Sequence, residues 1–165
     1  MTTIIIVIKF LHVLAGFWLF AGGLGRWSTV VQAAKALNIQ SVRDLMKLAG
    51  HFEQRMITPA VPTVLVLGLI TAWLEGWPIL GFLQGASSNW LLVSLVLFLG
   101  NVPLVFLVFL PRGKLFELAL DQAVAQGKVT PELTAELTHR SVFWSYVYQT
   151  ASAVVIIALM IAKPF

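Results

Sequence analysis

Long apolar runs without a charged residue alternate with short polar segments along this chain. Charge-free runs extend from Met56 to Leu74, from Gly76 to Pro111 and from Ser141 to Ala162. A helix that crosses a bilayer needs about 20 predominantly apolar residues, so each run is long enough for one span. The start of the 36-residue run from Gly76 is rich in Gly, Ser and Asn, which is typical of a loop. The pattern predicts spans over about residues 56–75, 90–110 and 141–163.

A further apolar run lies near the start of the chain and carries two basic residues. It extends from about Ile4 to Gly25 and includes Lys9 and His12. A signal peptide is the alternative, but no basic segment precedes the apolar run and Lys9 lies within it. We therefore predict a retained first span over about residues 4–32.

The composition agrees with a membrane protein. The chain has 165 residues, of which 59% are hydrophobic and 11% are charged, with a mean hydropathy of +0.90. A soluble domain has about a quarter charged residues, so that class is excluded. We predict an all-α integral membrane protein, a four-transmembrane-helix bundle forming a single domain over residues 1–165. The absence of cysteine excludes disulfides and thiolate metal sites.

Helix signals also occur in the two connections between spans 1 and 2 and between spans 3 and 4. Ser41 is expected to cap a helix that leads into span 2, where Pro59 and Pro62 favour a kink. In the second connection a helix is expected to stop near Gly127. Thr130 followed by Pro131 then predicts a helix start that continues into the membrane at Ser141. The fold therefore includes one or two cytoplasmic interfacial helices.

The basic residues are distributed unequally between the two sides of the predicted bundle. The 1–2 and 3–4 connections together carry eight: Lys35, Arg43, Lys47, Arg55, Arg112, Lys114, Lys128 and Arg140. The opposite side carries Lys9 and Lys163. The positive-inside rule then places both connections in the cytoplasm and both termini outside. In a membrane protein an excess of basic residues indicates the orientation of the chain, so nucleic acid is not expected as a partner.

His12 is the one candidate for chemistry that lies fully inside the apolar slab. With a rise of 1.5 Å per residue, it lies about 12 Å from the outer edge. One interpretation is a neutral imidazole bonded to a neighbouring Ser, Thr or carbonyl, and Thr71 and Ser94 lie at similar depth. The other is a functional role, as an axial haem ligand or as a group that handles protons. No complete catalytic motif accompanies it.

A second set of candidates approaches the cytoplasmic interface from three helices. Its basic members are Arg26, His51, Arg55, His139 and Arg140. Basic pockets between helices suit lipid headgroups, haem propionates or other anions. The alternative is ordinary flanking charge together with a local Glu53–Arg55 pair. The small residues Ala21, Gly22, Gly23 and Gly25 predict a face for close helix packing.

Several short segments resemble known families. Lys9-Phe10-Leu11-His12, with Arg26 further on, is similar to the opening of HemJ-type protoporphyrinogen oxidases, as are the segment from His51 to Ala60 and Trp90-Leu91. The chain resembles a second family more closely, a family of bacterial predicted integral membrane proteins. That family is related to the HemJ group and to the membrane domain of copper resistance protein D. Its members share the segment from Gly127 to Leu133 and the ending Ala162-Lys163-Pro164-Phe165.

The resemblance implies a bacterial inner-membrane protein that binds haem b or a porphyrin through His12 in a redox role. HemJ-type enzymes carry a His and a Lys in helix 3 where this sequence has Leu92 and Ser94, so the resemblance does not extend to their oxidase activity. The alternative is a non-catalytic subunit of a larger respiratory or photosynthetic membrane complex. The expected partners are the lipid bilayer and either other membrane subunits or further copies of the chain.

Overall fold

The computed structural model describes residues 2–164, with side chains from residue 3, and these residues are helical apart from short connections. Phe165, the last residue of the ending noted above, lies outside the described residues. The α-helices are α1 (Thr2–Lys35), α2 (Ile39–Phe52), α3 (Thr58–Leu74), α4 (Trp90–Leu99), α5 (Asn101–Leu104), α6 (Leu110–Gln126), α7 (Pro131–Leu137) and α8 (Arg140–Ala162). π-helical segments join α2 to α3 (Glu53–Ile57) and α5 to α6 (Val105–Phe109), and a 3₁₀ turn occupies Gly81–Gln84.

Four helical stretches among the described residues are long and apolar enough to cross a membrane. They are span 1 (Thr3–Lys35), span 2 (Ile39–Leu74), span 3 (Trp90–Gln126) and span 4 (Pro131–Ala162). The predicted fold class is therefore confirmed. Each stretch continues past its apolar segment: α1, with 34 residues, is about 51 Å long, whereas the hydrocarbon layer is about 30 Å thick. The helices thus project beyond the membrane at one end.

The spans stand in the order 2–1–4–3. Span 1 packs along span 2 and contacts span 4, which packs along span 3, while α3 and α4 make few contacts with each other. The bundle is therefore open between α3 and α4, the apolar segments of spans 2 and 3. We call the end with the 1–2 and 3–4 connections the basic end, where α2 contacts α6. At the opposite, terminal end, the rings of Trp77 and Trp90 meet edge to face at 4.9 Å.

The hydrophobic core lies at the basic end, in the projecting helices, and combines leucine and valine with alanine. It consists of Val30, Ala33, Val42, Ala49, Ala119, Ala123, Leu133 and Leu137. Most of the buried positions between the spans are held by small residues such as Ala60, Thr71, Ala72, Ser94 and Ser152, although Trp90 and Tyr146 are also buried. Water drives large apolar side chains together, but lipid does not, so helices in a membrane associate through small residues that allow close approach.

The helix ends confirm some of the local predictions and correct others. Gly127 ends α6 in the left-handed conformation, with φ of 67°, and the Thr130 side chain accepts from Leu133 N at the start of α7. The predicted cap at Ser41 is wrong, because α2 begins earlier and Asn38 caps it by accepting from Gln40 N. The helix predicted from Pro131 is interrupted between α7 and α8, where His139 provides a second cap.

Both π-helical segments precede a proline by the same interval. Pro59 lies two residues after Glu53–Ile57, and Pro111 lies two residues after Val105–Phe109. A proline within a helix lacks an N–H, and its ring collides with the carbonyl four residues earlier. The preceding turn widens, so that Thr58 N bonds Glu53 O and Leu110 N bonds Val105 O. The irregularity expected as a kink at Pro59 is thus a π-helical turn over Glu53–Ile57, just before the proline.

Candidate functional site

His12 lies in the contact between spans 1 and 2. Its Nδ1 is 3.1 Å from the backbone carbonyl oxygen of Val64 on α3. A carbonyl can only accept, so Nδ1 carries the proton and Nε2 keeps its lone pair. No described residue hydrogen-bonds Nε2. Of the expected partners, the structure thus provides a backbone carbonyl. The hydroxyls of Thr71 and Ser94 donate instead to Leu67 O and Trp90 O within their own helices.

A glycine makes room for this imidazole. A Cβ atom added at Gly68 would lie 2.9 Å from Cε1 of His12, closer than carbon atoms pack. Gly68 is four residues after Val64, so the same face of α3 supplies both the space and the acceptor. The ring is consequently fixed in position and orientation from one side.

A shallow groove lies between spans 1 and 2, on the side of His12 towards the basic end, and His12 itself does not line it. It has a volume of about 190 Å³ and is lined by Ala15, Trp18, Pro59, Ala60 and Thr63. A Cβ atom added at the neighbouring Gly16 would meet nothing within 4 Å. The small side chains after His12 thus leave an open wall on span 1.

Arg26 is the centre of a polar network at the basic end of the spans. Its Nε lies 3.0 Å from Oε2 of Glu53, and its Nη1 donates to the hydroxyl of Tyr146 at 2.6 Å. The guanidinium carbon also lies 5.4 Å from the ring centre of Phe109. Tyr146 is buried, with 4% of its surface exposed. Arg26 therefore connects three other helices and is already neutralised by a carboxylate.

Close packing of spans 1 and 2 places Glu53 beside Arg26. A Cβ atom at Gly22 would lie 2.8 Å from Cβ of Met56, and one at Gly25 would lie 2.6 Å from the Phe52 ring. These two glycines confirm the predicted packing face in part. Gly23 has nothing within 4 Å, and Ala21 is exposed. The first π-helical segment begins at Glu53 and the second ends at Phe109. Each segment therefore contributes one residue that contacts Arg26.

The other predicted site residues are not brought together. His51 is exposed and donates from Nδ1 to Lys47 O of its own helix at 3.0 Å. Arg55 and Arg140 are exposed, and Glu53 pairs with Arg26 instead of Arg55. Nδ1 of His139 accepts from Ser141 N as the cap of α8. Among residues 2–164, no group of three or more His, Asp or Glu side chains is placed to hold a metal.

The structure also shows a polar cluster at the terminal end that the sequence analysis missed. Nζ of Lys9 lies 2.5 Å from Oε1 of Glu75, and Nζ of Lys163 lies 3.8 Å from the ring centre of Trp77. Glu75 is the only charged residue from Met56 to Pro111, a signal that could have identified it. Tyr146 and Phe109 gave no comparable signal, because aromatic residues are common in the spans.

Comparison with known proteins identifies one family. A family model described as "Predicted integral membrane protein (DUF2269)" matches residues 6–164. No curated protein matches the chain, and no solved structure does. The match covers all four spans and supports their assignment to a membrane.

Proposed function

The chain belongs to this family of predicted integral membrane proteins, and we propose that it binds haem b or a related metalloporphyrin through His12 in a redox role. The observation that carries the proposal is the hydrogen bond from Nδ1 of His12 to Val64 O. Histidines that ligate metals donate their other ring N–H to an acceptor, which fixes the tautomer and the ring. Here the acceptor is present, and Nε2 is left with a lone pair in an apolar layer.

The residues around His12 fit a planar metal complex better than a free metal ion. One imidazole is a weak site for an ion, and the described residues hold no cluster of further ligands. A metalloporphyrin brings four ligands of its own, so a single protein nitrogen is sufficient. Ala15 and Gly16 leave a flat wall next to His12 against which a ring can lie. When bound, haem supplies one-electron redox chemistry.

The proposal is confined to His12 among the predicted site residues. Arg26 already has a carboxylate and a hydroxyl partner, and His51, Arg55, His139 and Arg140 lie apart at the basic end. At this site the protein fixes the imidazole through Val64 and Gly68, and the apolar residues of the span exclude water. The relation to HemJ-type oxidases and to copper resistance protein D stays a prediction.

An absorption spectrum of the purified protein with added haem tests the proposal. We expect a Soret band that shifts on binding, that is lost in His12→Ala and that persists in the control His51→Ala, because His51 is exposed and bonded to its own helix. Circular dichroism should show the same helix content in all three proteins. A His12→Ala protein that retains its full complement of haem would refute the ligand role.

A second candidate function is that of a non-catalytic subunit in a larger respiratory or photosynthetic complex. The observation that favours it is the wide apolar face of span 1, where Ile6, Phe10 and Phe17 are each at least 60% exposed. Protein partners or further copies of the chain could cover this face in place of lipid. A colourless protein that migrates with a large complex after mild detergent extraction would favour this function over haem binding.

We also propose a bacterial inner-membrane location with both termini outside the cytoplasm. The support is the charge bias: eight Lys and Arg residues lie in the two connections of the basic end, against Lys9 and Lys163 at the terminal end. The positive-inside rule assigns such connections to the cytoplasm.

A further inference from the structure

A two-residue joint connects the hydrophobic core to the apolar part of span 4. α7 ends at Leu137 and α8 begins at Arg140, so that Thr138 and His139 lie between the two helices. Leu133 and Leu137 hold α7 in the core, with 0% and 8% of their surfaces exposed, while α8 continues as the last apolar run of the chain. His139 is extended, with φ of −61° and ψ of 128°. The chain therefore leaves the helical path at this residue.

The imidazole of His139 caps α8. Its Nδ1 lies 3.2 Å from the backbone nitrogen of Ser141 and 2.9 Å from the hydroxyl oxygen of the same residue. A backbone N–H can only donate, so Nδ1 accepts with its lone pair and the ring proton is on Nε2. The Ser141 hydroxyl then donates to the same nitrogen. The cap therefore requires the neutral imidazole.

Histidine differs in one respect from the side chains that usually cap helices. Ser, Thr and Asn accept hydrogen bonds throughout the range of about pH 5 to 8, whereas a histidine changes its charge within that range. A protonated His139 has no lone pair on Nδ1. The hydroxyl of Ser141 can rotate and accept, but the backbone N–H of Ser141 loses its acceptor. The positive charge would also lie at the N-terminal end of α8, where the helix dipole opposes it.

The charged groups around the joint do not stabilise a protonated His139. They are Arg140 of α8, Glu132 and Glu136 of α7, Arg112 of α6, Arg26 of α1 and Glu53 of the first π-helical segment. Glu136 is paired with Arg112, and Glu53 with Arg26. α4 and the second π-helical segment, which also contact α8, carry no charged residue. No described carboxylate lies within ion-pair distance of His139, so proton uptake gains no ion pair to offset the lost cap.

We propose that His139 is a pH-sensitive hinge: proton uptake releases the first turn of α8 from its cap and lets α8 move relative to α7. Phe143 lies in that turn and meets the ring of Trp27 edge to face at 6.3 Å. Tyr146, about one turn further, accepts from Arg26 at 2.6 Å. Both residues connect α8 to α1, so a change at the cap is transmitted to the contact between spans 1 and 4.

Amide hydrogen exchange of the full chain in detergent, measured by mass spectrometry at about pH 5.5 and about pH 7.5, tests the hinge. After correction for the chemical exchange rate, we expect residues 140–143 to exchange about fivefold faster at the lower pH, the effect of losing a typical cap. His139→Asn supplies an acceptor that takes up no proton, so exchange should be slow at both pH values. His139→Ala supplies no acceptor, so exchange should be fast at both.

His51→Asn is the matched control. Nδ1 of His51 donates to Lys47 O, and a protonated imidazole keeps this donor, so the variant should leave the pH dependence of residues 140–143 unchanged. Equal exchange at both pH values in the unaltered chain would overturn the proposal, as would a pH dependence that persists in His139→Asn. Loss of the pH dependence in His51→Asn would also overturn it, because the effect would then belong to another histidine.

Discussion

Gly68 of α3 lies against the imidazole of His12, so closely that a Cβ atom at this position would come within 2.9 Å of Cε1. The same helix turn presents the Val64 carbonyl to Nδ1 at 3.1 Å. A side chain at position 68 would therefore push the imidazole away from its acceptor. This relationship connects a backbone feature of span 2 to the only histidine within the apolar part of the spans.

Gly68→Ala is expected to destabilise the protein by about 1–3 kcal/mol, the usual cost of overpacking a close contact. The imidazole has to move, and its bond to Val64 O is lost with it. Thermal unfolding in detergent measures the effect. Gly16→Ala is the matched control, because a Cβ atom there meets nothing within 4 Å; equal losses of stability in both variants would contradict the packing described here.

Tyr146→Phe is expected to lower the free energy of unfolding by about 1.5–3 kcal/mol, the range for a hydrogen bond to a charged group. The variant removes the hydroxyl that accepts from Arg26 at 2.6 Å and keeps the ring that stacks on Trp27. Denaturant titration in detergent gives the value. Tyr148→Phe is the control, because its longer bond to Leu97 O, at 3.3 Å, is exposed, so its loss should be smaller.

Arg26 and Glu53 are expected to show an energetic coupling of about 1 kcal/mol in a double-mutant cycle. Removal of Arg26 leaves the Glu53 carboxylate without its partner, so Arg26→Gln together with Glu53→Gln should cost less than the sum of the single changes. The value is modest because the Glu53 side chain is 43% exposed and water screens the pair. Strict additivity would show that the two charges contribute independently.

The orientation can be tested with single cysteines, since the chain has no native cysteine. Cysteines at Lys47 and Gly127 should be protected from a membrane-impermeant thiol reagent in intact cells, because the positive-inside rule places both connections in the cytoplasm. A cysteine at Ser87, in the 2–3 connection, should react. Labelling after cell lysis controls for burial, and the reverse pattern in intact cells would invert the proposed topology.

The sequence by itself determined the features that depend on a short stretch of chain. Four spans follow from the lengths of the apolar runs, the end of α6 from Gly127, and the start of α7 from Thr130 and Pro131, because helix formation and capping are decided by nearby backbone groups. The cap at Ser41 failed for a related reason. Asn38 is another good capping residue a few positions earlier, and a local pattern does not choose between neighbouring caps.

Only the tertiary structure decided which spans are neighbours. Nearly every position in a span is apolar, because a face that contacts lipid is as hydrophobic as one that contacts another helix. The hydrophobic pattern therefore does not indicate the order 2–1–4–3. In the contact between spans 1 and 2, the helices approach through small residues such as Gly22 and Gly68. The order of the spans brings Arg26 to Tyr146, 120 positions away, and it gives His12 a backbone carbonyl as its partner. Because every residue has a carbonyl, no side-chain pattern in the sequence could identify that acceptor.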